Sequence, residues 1–180
     1  MRVLGVSGSL RAGSTNHTLL QAAGALAPAN ITFELSDWPG QLPLFSPDQQ
    51  DADIPALKSW AAQVKAADAL VLSVPEYAGG YPGALKNALD WLVNTDAFVA
   101  KPFALLKASK RTVVAQDTLV TVLQTMSGVH VIEADQTVSL LGKSLSATEV
   151  AADPASAESI AALFAALAAA TSREPHHSTS

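Results

Sequence analysis

Apolar residues recur along this chain in two rhythms: short runs of strand length, and longer stretches with a period of three to four. Val3 to Ser7, Ile31 to Leu35, Ala69 to Val74, Phe103 to Leu106 and Val129 to Ile132 are the short runs. Val3 to Ser7 lacks polar alternation, which is the pattern of a strand buried on both faces. Between them, Thr18 to Ala27 carries Leu19, Leu20, Ala23 and Leu26, and Ile54 to Ala67 carries Leu57, Trp60, Ala61 and Val64. Both read as amphipathic helices, the first stopped by Pro28 and the second admitting Pro55 in its first turn. Pro82 opens a third helix with two adjoining apolar stripes, Leu85, Ala88, Leu89 and Leu92, then Ala84, Ala88 and Trp91. Lys86, Asn87 and Asp90 are left on its polar side. Val113 to Met126 and Ala155 to Ala170 complete the helices, and Val138 to Leu141 is a candidate strand extension. Asp37 to Pro47, with four prolines or glycines in eleven residues, predicts a loop crossing the ends of the sheet.

Strand and helix alternating in units of about 30 residues imply an α/β three-layer sandwich around a parallel sheet. Ligands then sit outside the carboxyl ends of the strands. With 180 residues, the chain is expected to form one domain over 1–170, with 171–180 a disordered polar tail. A net charge of −5 without a basic run argues against nucleic acid, whose affinity comes from clustered cations. The absence of cysteine excludes disulfides and thiolate chemistry. Met1 to Leu4 leads directly into a strand with no signal-peptide pattern, so a cytoplasmic protein without a membrane partner is expected.

Two stretches carry candidate chemistry. Gly8 to Asn16 is a Gly/Ser/Thr/Arg loop between a strand and a helix start. The first helical turn leaves unpaired N–H groups and about half a positive charge, so such a loop holds anions. Ser9, Ser14 and Thr15 would donate hydroxyls, Arg11 would pair with charge, and Asn16 would fix loop or ligand. The alternative is a simple helix cap by Ser14 or Thr15. The loop lacks the signatures of nucleoside triphosphatases and dinucleotide binders, which favours a monophosphate. The second stretch, Pro75 to Gly80, offers a rigid proline, an acid, an aromatic face and a Gly-Gly pair that a planar ring could approach. The alternative is a structural turn with Tyr77 capping the core.

Together, Gly8-Ser9-Leu10-Arg11-Ala12-Gly13-Ser14-Thr15-Asn16 and Pro75-Glu76-Tyr77-Ala78-Gly79-Gly80-Tyr81-Pro82-Gly83-Ala84-Leu85-Lys86-Asn87-Ala88-Leu89-Asp90-Trp91 resemble the NADPH-dependent FMN reductase family. The resemblance implies a flavodoxin-like fold with a five-stranded parallel sheet in the order 2-1-3-4-5. It implies FMN held at Ser9, Arg11, Ser14, Thr15 and Asn16, with Pro75, Glu76, Tyr77, Ala78, Gly79 and Ser109 bordering the rest of the cofactor. NADPH or NADH would be the co-substrate, and a free flavin, quinone, azo dye or metal oxyanion the small-molecule electron acceptor. A homodimer through the helix from Pro82 to Asn94, or a homotetramer, is also implied, with Trp91 at the contact. Neither a metal site nor a catalytic side chain is expected, because hydride passes between nicotinamide and flavin while the protein supplies position and electrostatics.

The chain departs from the family in two places. Ala78 stands where the family usually has Asn, and the family's glycine-rich loop after the fourth strand is replaced by Ser109-Lys110-Arg111-Thr112-Val113-Val114. No glycine occurs between Gly83 and Gly128. Lys110 and Arg111 could attract a phosphate or the charge of a reduced flavin, or be a solvated helix start. Two rival functions follow from the residues: an FMN-binding electron carrier or regulatory protein with little turnover, and a hydrolase using Ser7 or Ser9 with His17 or His130. The second lacks the final glycine of a nucleophile elbow.

Overall fold

The computed structural model describes residues 1–38, 40, 42–49, 53–111, 113–140 and 142–172. Its elements are β1 (Arg2–Ser7), α1 (Thr15–Ala25), β2 (Thr32–Leu35), α2 (Pro55–Ala66), β3 (Ala69–Ser73), α3 (Gly83–Asp90), β4 (Pro102–Lys107) and α4 (Val113–Thr125). They continue with β5 (Val129–His130), β6 (Gln136–Thr137), α5 (Ala147–Ala152) and α6 (Pro154–Thr171). The strands are parallel in the order β2-β1-β3-β4-β5, as expected, with β6 also pairing with β4.

Residues on alternate sides of each strand build two cores. Val3, Val71, Ala104 and Leu106 meet Leu19, Leu20 and Ala23 of α1, Val150 of α5 and Ile160, Leu163, Phe164 and Leu167 of α6. On the opposite face Leu4, Val6, Leu70, Leu72, Phe103 and Leu105 meet Trp60 and Val64 of α2, Leu85 and Leu89 of α3, and Leu119 and Leu123 of α4. This double burial is why β1, β3 and β4 show no alternation, whereas the edge strand β2 alternates exposed and half-buried residues. Helix α6 has the length and apolarity of a membrane-crossing helix, 18 residues at a mean hydropathy of 1.3. Its large apolar residues Ile160, Leu163, Phe164 and Leu167 are nevertheless fully buried against the sheet and α1.

The structure corrects several boundaries. The expected strand over 129–132 ends at His130, where a 3-10 turn over Ile132–Ala134 interrupts it, and the edge resumes as β6. The cause is Asp135, whose Oδ1 accepts from the Leu105 N–H at 2.8 Å and so takes the place of a strand carbonyl. The extension expected at 138–141 is shifted to Gln136–Thr137, and Leu141 lies outside the described residues. Helix α5 was not expected. Its Ser146–Glu149 capping box is legible in the sequence, and Asp153 then caps α6 through the Ser156 N–H. The terminal helix continues to Thr171, and residues 173–180 of the expected tail lie outside the described residues.

The 37–47 loop does cross the sheet ends. Trp38 Nε1 donates to Ser7 O at 2.7 Å, directly before the Gly8–Asn16 loop. Further on, the loop is clasped to α3, which changes the reading of two residues. Asn87 is not a solvated polar residue: its Oδ1 accepts from Phe45 N at 2.8 Å and its Nδ2 donates to Pro43 O at 3.0 Å. Trp91 is not an exposed contact residue either, being only 3% exposed, with Nε1 donating to Pro43 O and its ring edge-on to Phe45. Helical periodicity assigned Trp91 correctly to an apolar face but could not say that the chain's own loop covers it. Replacing Asn87 by alanine orphans the Phe45 N–H and is expected to lower unfolding free energy by about 1–3 kcal/mol, read from urea denaturation.

Candidate functional site

The carboxyl ends of β1, β3 and β4 bring three loops together. Backbone pairing sets the stage: Ser7 lies opposite Ser73, and the Gly8 N–H donates to Ser73 O at 2.9 Å. The Ser73 hydroxyl then donates to Asn16 Oδ1 at 3.0 Å, both side chains buried. Asn16 therefore fixes the start of α1 to the sheet, and Ser73 is a supporting residue that no motif pointed to.

Within the loop, Ser14 N donates to Arg11 O at 3.1 Å, Arg11 N to Ser9 Oγ at 3.3 Å, and Arg11 Nη2 to Gly13 O at 3.2 Å. Gly13 adopts φ +70°, a left-handed conformation suited to glycine. Ser14 is the N-cap residue of α1 and is 3% exposed, yet its side chain makes no capping hydrogen bond. The simple cap reading is thus not what the structure contains. No acidic residue occupies the first turn of α1, so its positive end is not neutralised locally.

A cleft of 270 Å³ joins Thr15 and Asn16 of this loop to Val74, Pro75 and Glu76 after β3, Ala108 and Ser109 after β4, and Leu140, Gly142 and Lys143 beyond β6. Of the residues expected at the site, Thr15, Asn16, Pro75, Glu76 and Ser109 line this cleft. Ser9, Arg11 and Ser14 stand in the loop leading into Thr15, and Tyr77, Ala78 and Gly79 form the turn after Glu76. Sequence reasoning missed Leu140 and Lys143, whose segment carries no motif and arrives only through the β4–β6 pairing.

Tyr77 and Gly80 exchange both backbone hydrogen bonds, enclosing Ala78 at φ +51° and Gly79 at φ +76°. Two successive positive φ angles mark a tight type I′ turn, which favours Asn-Gly. Tyr77 is 55% exposed and does not cap the core. Tyr81, just beyond this turn, packs on the α2–α3 core with its hydroxyl buried. Burial, and then the charge of Asp90, push that hydroxyl's ionisation well up. Glu76 is half-buried, its Oε2 accepting from Ala115 N of α4 at 3.1 Å.

A hollow of 720 Å³ at the opposite ends of the strands includes Lys65, Lys101, Val99 and Val129. Lys101 serves structure there, its ammonium donating to the terminal carbonyls of α2, Lys65 O and Ala67 O. Burial lowers its proton affinity, and Asp68 opposes that effect. The hydrolase arrangement is absent among the described residues. His130 pairs with Asp135 at 3.1 Å and stacks on Phe103 at the start of β4, whereas Ser7 ends β1.

The sequence pattern that describes NADPH-dependent FMN reductases matches residues 1–140. The chain belongs to that family. An NAD(P)H-dependent FMN reductase of Pseudomonas aeruginosa is 43% identical over 112 residues, 61% of this chain and 60% of that protein. A 2-hydroxy-1,4-benzoquinone reductase of Burkholderia is 42% identical over 51% of this chain and 49% of that protein. The match thus spans about half to three fifths of these relatives' length. Among solved structures, the flavoenzyme NAD(P)H:(acceptor) oxidoreductase FerB of Paracoccus denitrificans superposes with a TM-score of 0.72 at 23% identity, covering 93% of this chain and 95% of that one. A flavodoxin of Bacillus cereus superposes at 0.60 and 16% identity over 94% of this chain and 98% of that one, so the fold is flavodoxin-like.

Within the family frame, Ala78 is a local departure with a measurable cost. An alanine held left-handed is strained by roughly 1 kcal/mol relative to residues that tolerate the conformation. Ala78→Asn is expected to raise unfolding free energy by about that amount in the cofactor-free protein, as an upward shift of the denaturation midpoint.

Proposed function

We propose that this protein is an FMN-dependent NAD(P)H oxidoreductase that passes hydride through the flavin to a free flavin, a quinone or a similar small acceptor. The observation that carries the reading is the convergence on one cleft of an uncommitted anion loop with the loops after β3 and β4. The loop fits a phosphate: a buried Ser14 hydroxyl makes no capping bond, and the positive end of α1 has no acid in its first turn. FMN, when bound, supplies the two-electron chemistry.

The chain's own residues do the holding. Ser9, Arg11, Ser14 and Thr15 would meet the phosphate, with Asn16 keeping their helix against the sheet. Pro75, Glu76, Tyr77, Ala78 and Gly79 would form one wall for the ring, and Ser109 the other. The exposed ring of Tyr77 would offer a stacking surface to nicotinamide or acceptor. No side chain has to exchange a proton for hydride transfer, so binding and orientation are what the protein contributes. Residues 1–170 act as one domain in this reading, working in the cytoplasm.

We also place a homodimer on the α3 side. Trp91 is already covered by the chain's own loop, but Leu44 at the tip of that loop is 83% exposed and Val93 just beyond α3 is 57% exposed. These two residues, rather than Trp91, are the apolar surface a second copy would bury.

The purified protein should take up FMN, seen as a flavin spectrum that co-elutes with it, and should consume NADPH or NADH when a quinone is added. No flavin uptake would defeat the reading; uptake without nicotinamide oxidation would favour the electron carrier. Arg11→Ala should weaken FMN by about 1.5 kcal/mol, the low end for a charge-assisted bond because the side chain is exposed. Leu44→Glu should shift the light-scattering mass from dimer to monomer, since it would bury a charge.

A further inference from the structure

After β4 the chain lacks the glycine-rich loop of the family pattern, and the structure contains a different device at that place. Glu76 lines the cleft, yet its carboxylate does not stand in it as a free acid: Oε2 accepts the Ala115 N–H at 3.1 Å, in the first turn of α4. That N–H is one of the donors a helix start leaves unpaired. No acidic residue of α4 itself lies in its first turn, so the carboxylate that meets the helix's positive end comes from another loop. The turn before the helix is closed by Ser109, whose Oγ accepts from Arg111 N at 3.0 Å, and Ser109 lines the same cleft. Glu76 thus joins the loop after β3 to the helix after β4 across the ring side of the site.

We propose that Glu76 is a positioning residue that acts through α4. It clasps the 75–80 loop to the helix start, and its charge offsets the positive end of α4 beside the ring. This rests on the FMN-binding reading given above. The two parts have separable consequences. The clasp requires only an oxygen acceptor, which an amide supplies as well as a carboxylate. The electrostatic part requires the negative charge itself: without it the positive end of α4 faces the cleft uncompensated, and electron-rich reduced flavin is stabilised relative to oxidised flavin.

Glu76→Gln and Glu76→Ala separate these consequences. In the cofactor-free protein, amide hydrogen exchange at Ala115 should accelerate roughly tenfold or more in Glu76→Ala and stay near the parent rate in Glu76→Gln. With FMN added, Glu76→Ala should raise the dissociation constant by about tenfold, and Glu76→Gln should restore it. The flavin reduction potential, followed spectroscopically during reductive titration, should move positive in Glu76→Gln although its binding is preserved. A residue with a merely structural role would not move the potential of the Gln variant.

Unchanged exchange at Ala115 in Glu76→Ala would overturn the clasp, and an unmoved potential in Glu76→Gln would overturn the electrostatic role. If the parent protein itself takes up no FMN, the FMN-dependent reading fails, while the exchange measurement still decides the clasp. Should Glu76→Ala fail to fold, Glu76→Gln alone carries the test: unchanged FMN affinity with a shifted potential supports the proposal, and an unchanged potential overturns it.

Discussion

The hydroxyl of Ser73 holds the functional end of this molecule together. It donates to Asn16 at the start of α1, while its backbone carbonyl accepts the Gly8 N–H. Both ends of the Gly8–Asn16 loop are thereby fixed to the end of β3. Trp38 adds a third attachment by donating to Ser7 O from the crossing loop. All these groups are buried, where an unmade hydrogen bond is costly. The anion loop consequently has a stiff base, although the loop itself is exposed from Leu10 to Gly13.

Given that base, the division of labour in the cleft has a simple electrostatic logic. The start of α1 carries no acid in its first turn and stays positive, which suits a phosphate. The start of α4 likewise has no acid of its own, but Glu76 reaches it from the neighbouring loop. Two helix starts face the same region, one left open for an anion and the other neutralised. The departures from the family pattern fall on the neutralised side, at Ala78 and after Ser109. There the wall is built from a tight turn and a carboxylate clasp rather than from glycines.

The runs of β1, β3 and β4 were legible because a doubly covered parallel sheet demands them, and the stretch from Gly8 to Asn16 stood out because Gly, Ser and Arg gather there before a helix start. The same logic found α1, α2, α4 and α6 to within a few residues, and it could have found α5 from the Ser146–Glu149 box. It could not place Lys143 or Leu140 in the cleft, since they reach it through pairing between β4 and a two-residue strand. Nor could it tell that Asn87 and Trp91 are occupied by the backbone of residues 43–45. Periodicity reports which face of a helix is apolar and carries no information on whether a loop or a second molecule covers it.

Local chemistry in the chain therefore settled the layer order and the family, because each depends on residues close in sequence and on the burial of whole strands. Tertiary structure decided how the ring side of the cleft is built. Glu76 read along the chain is an acid beside an aromatic residue, facing a planar guest. Only the approach of α4, 39 residues later, turns it into a bridge to a helix start, because a hydrogen bond of 3.1 Å depends on where two loops meet.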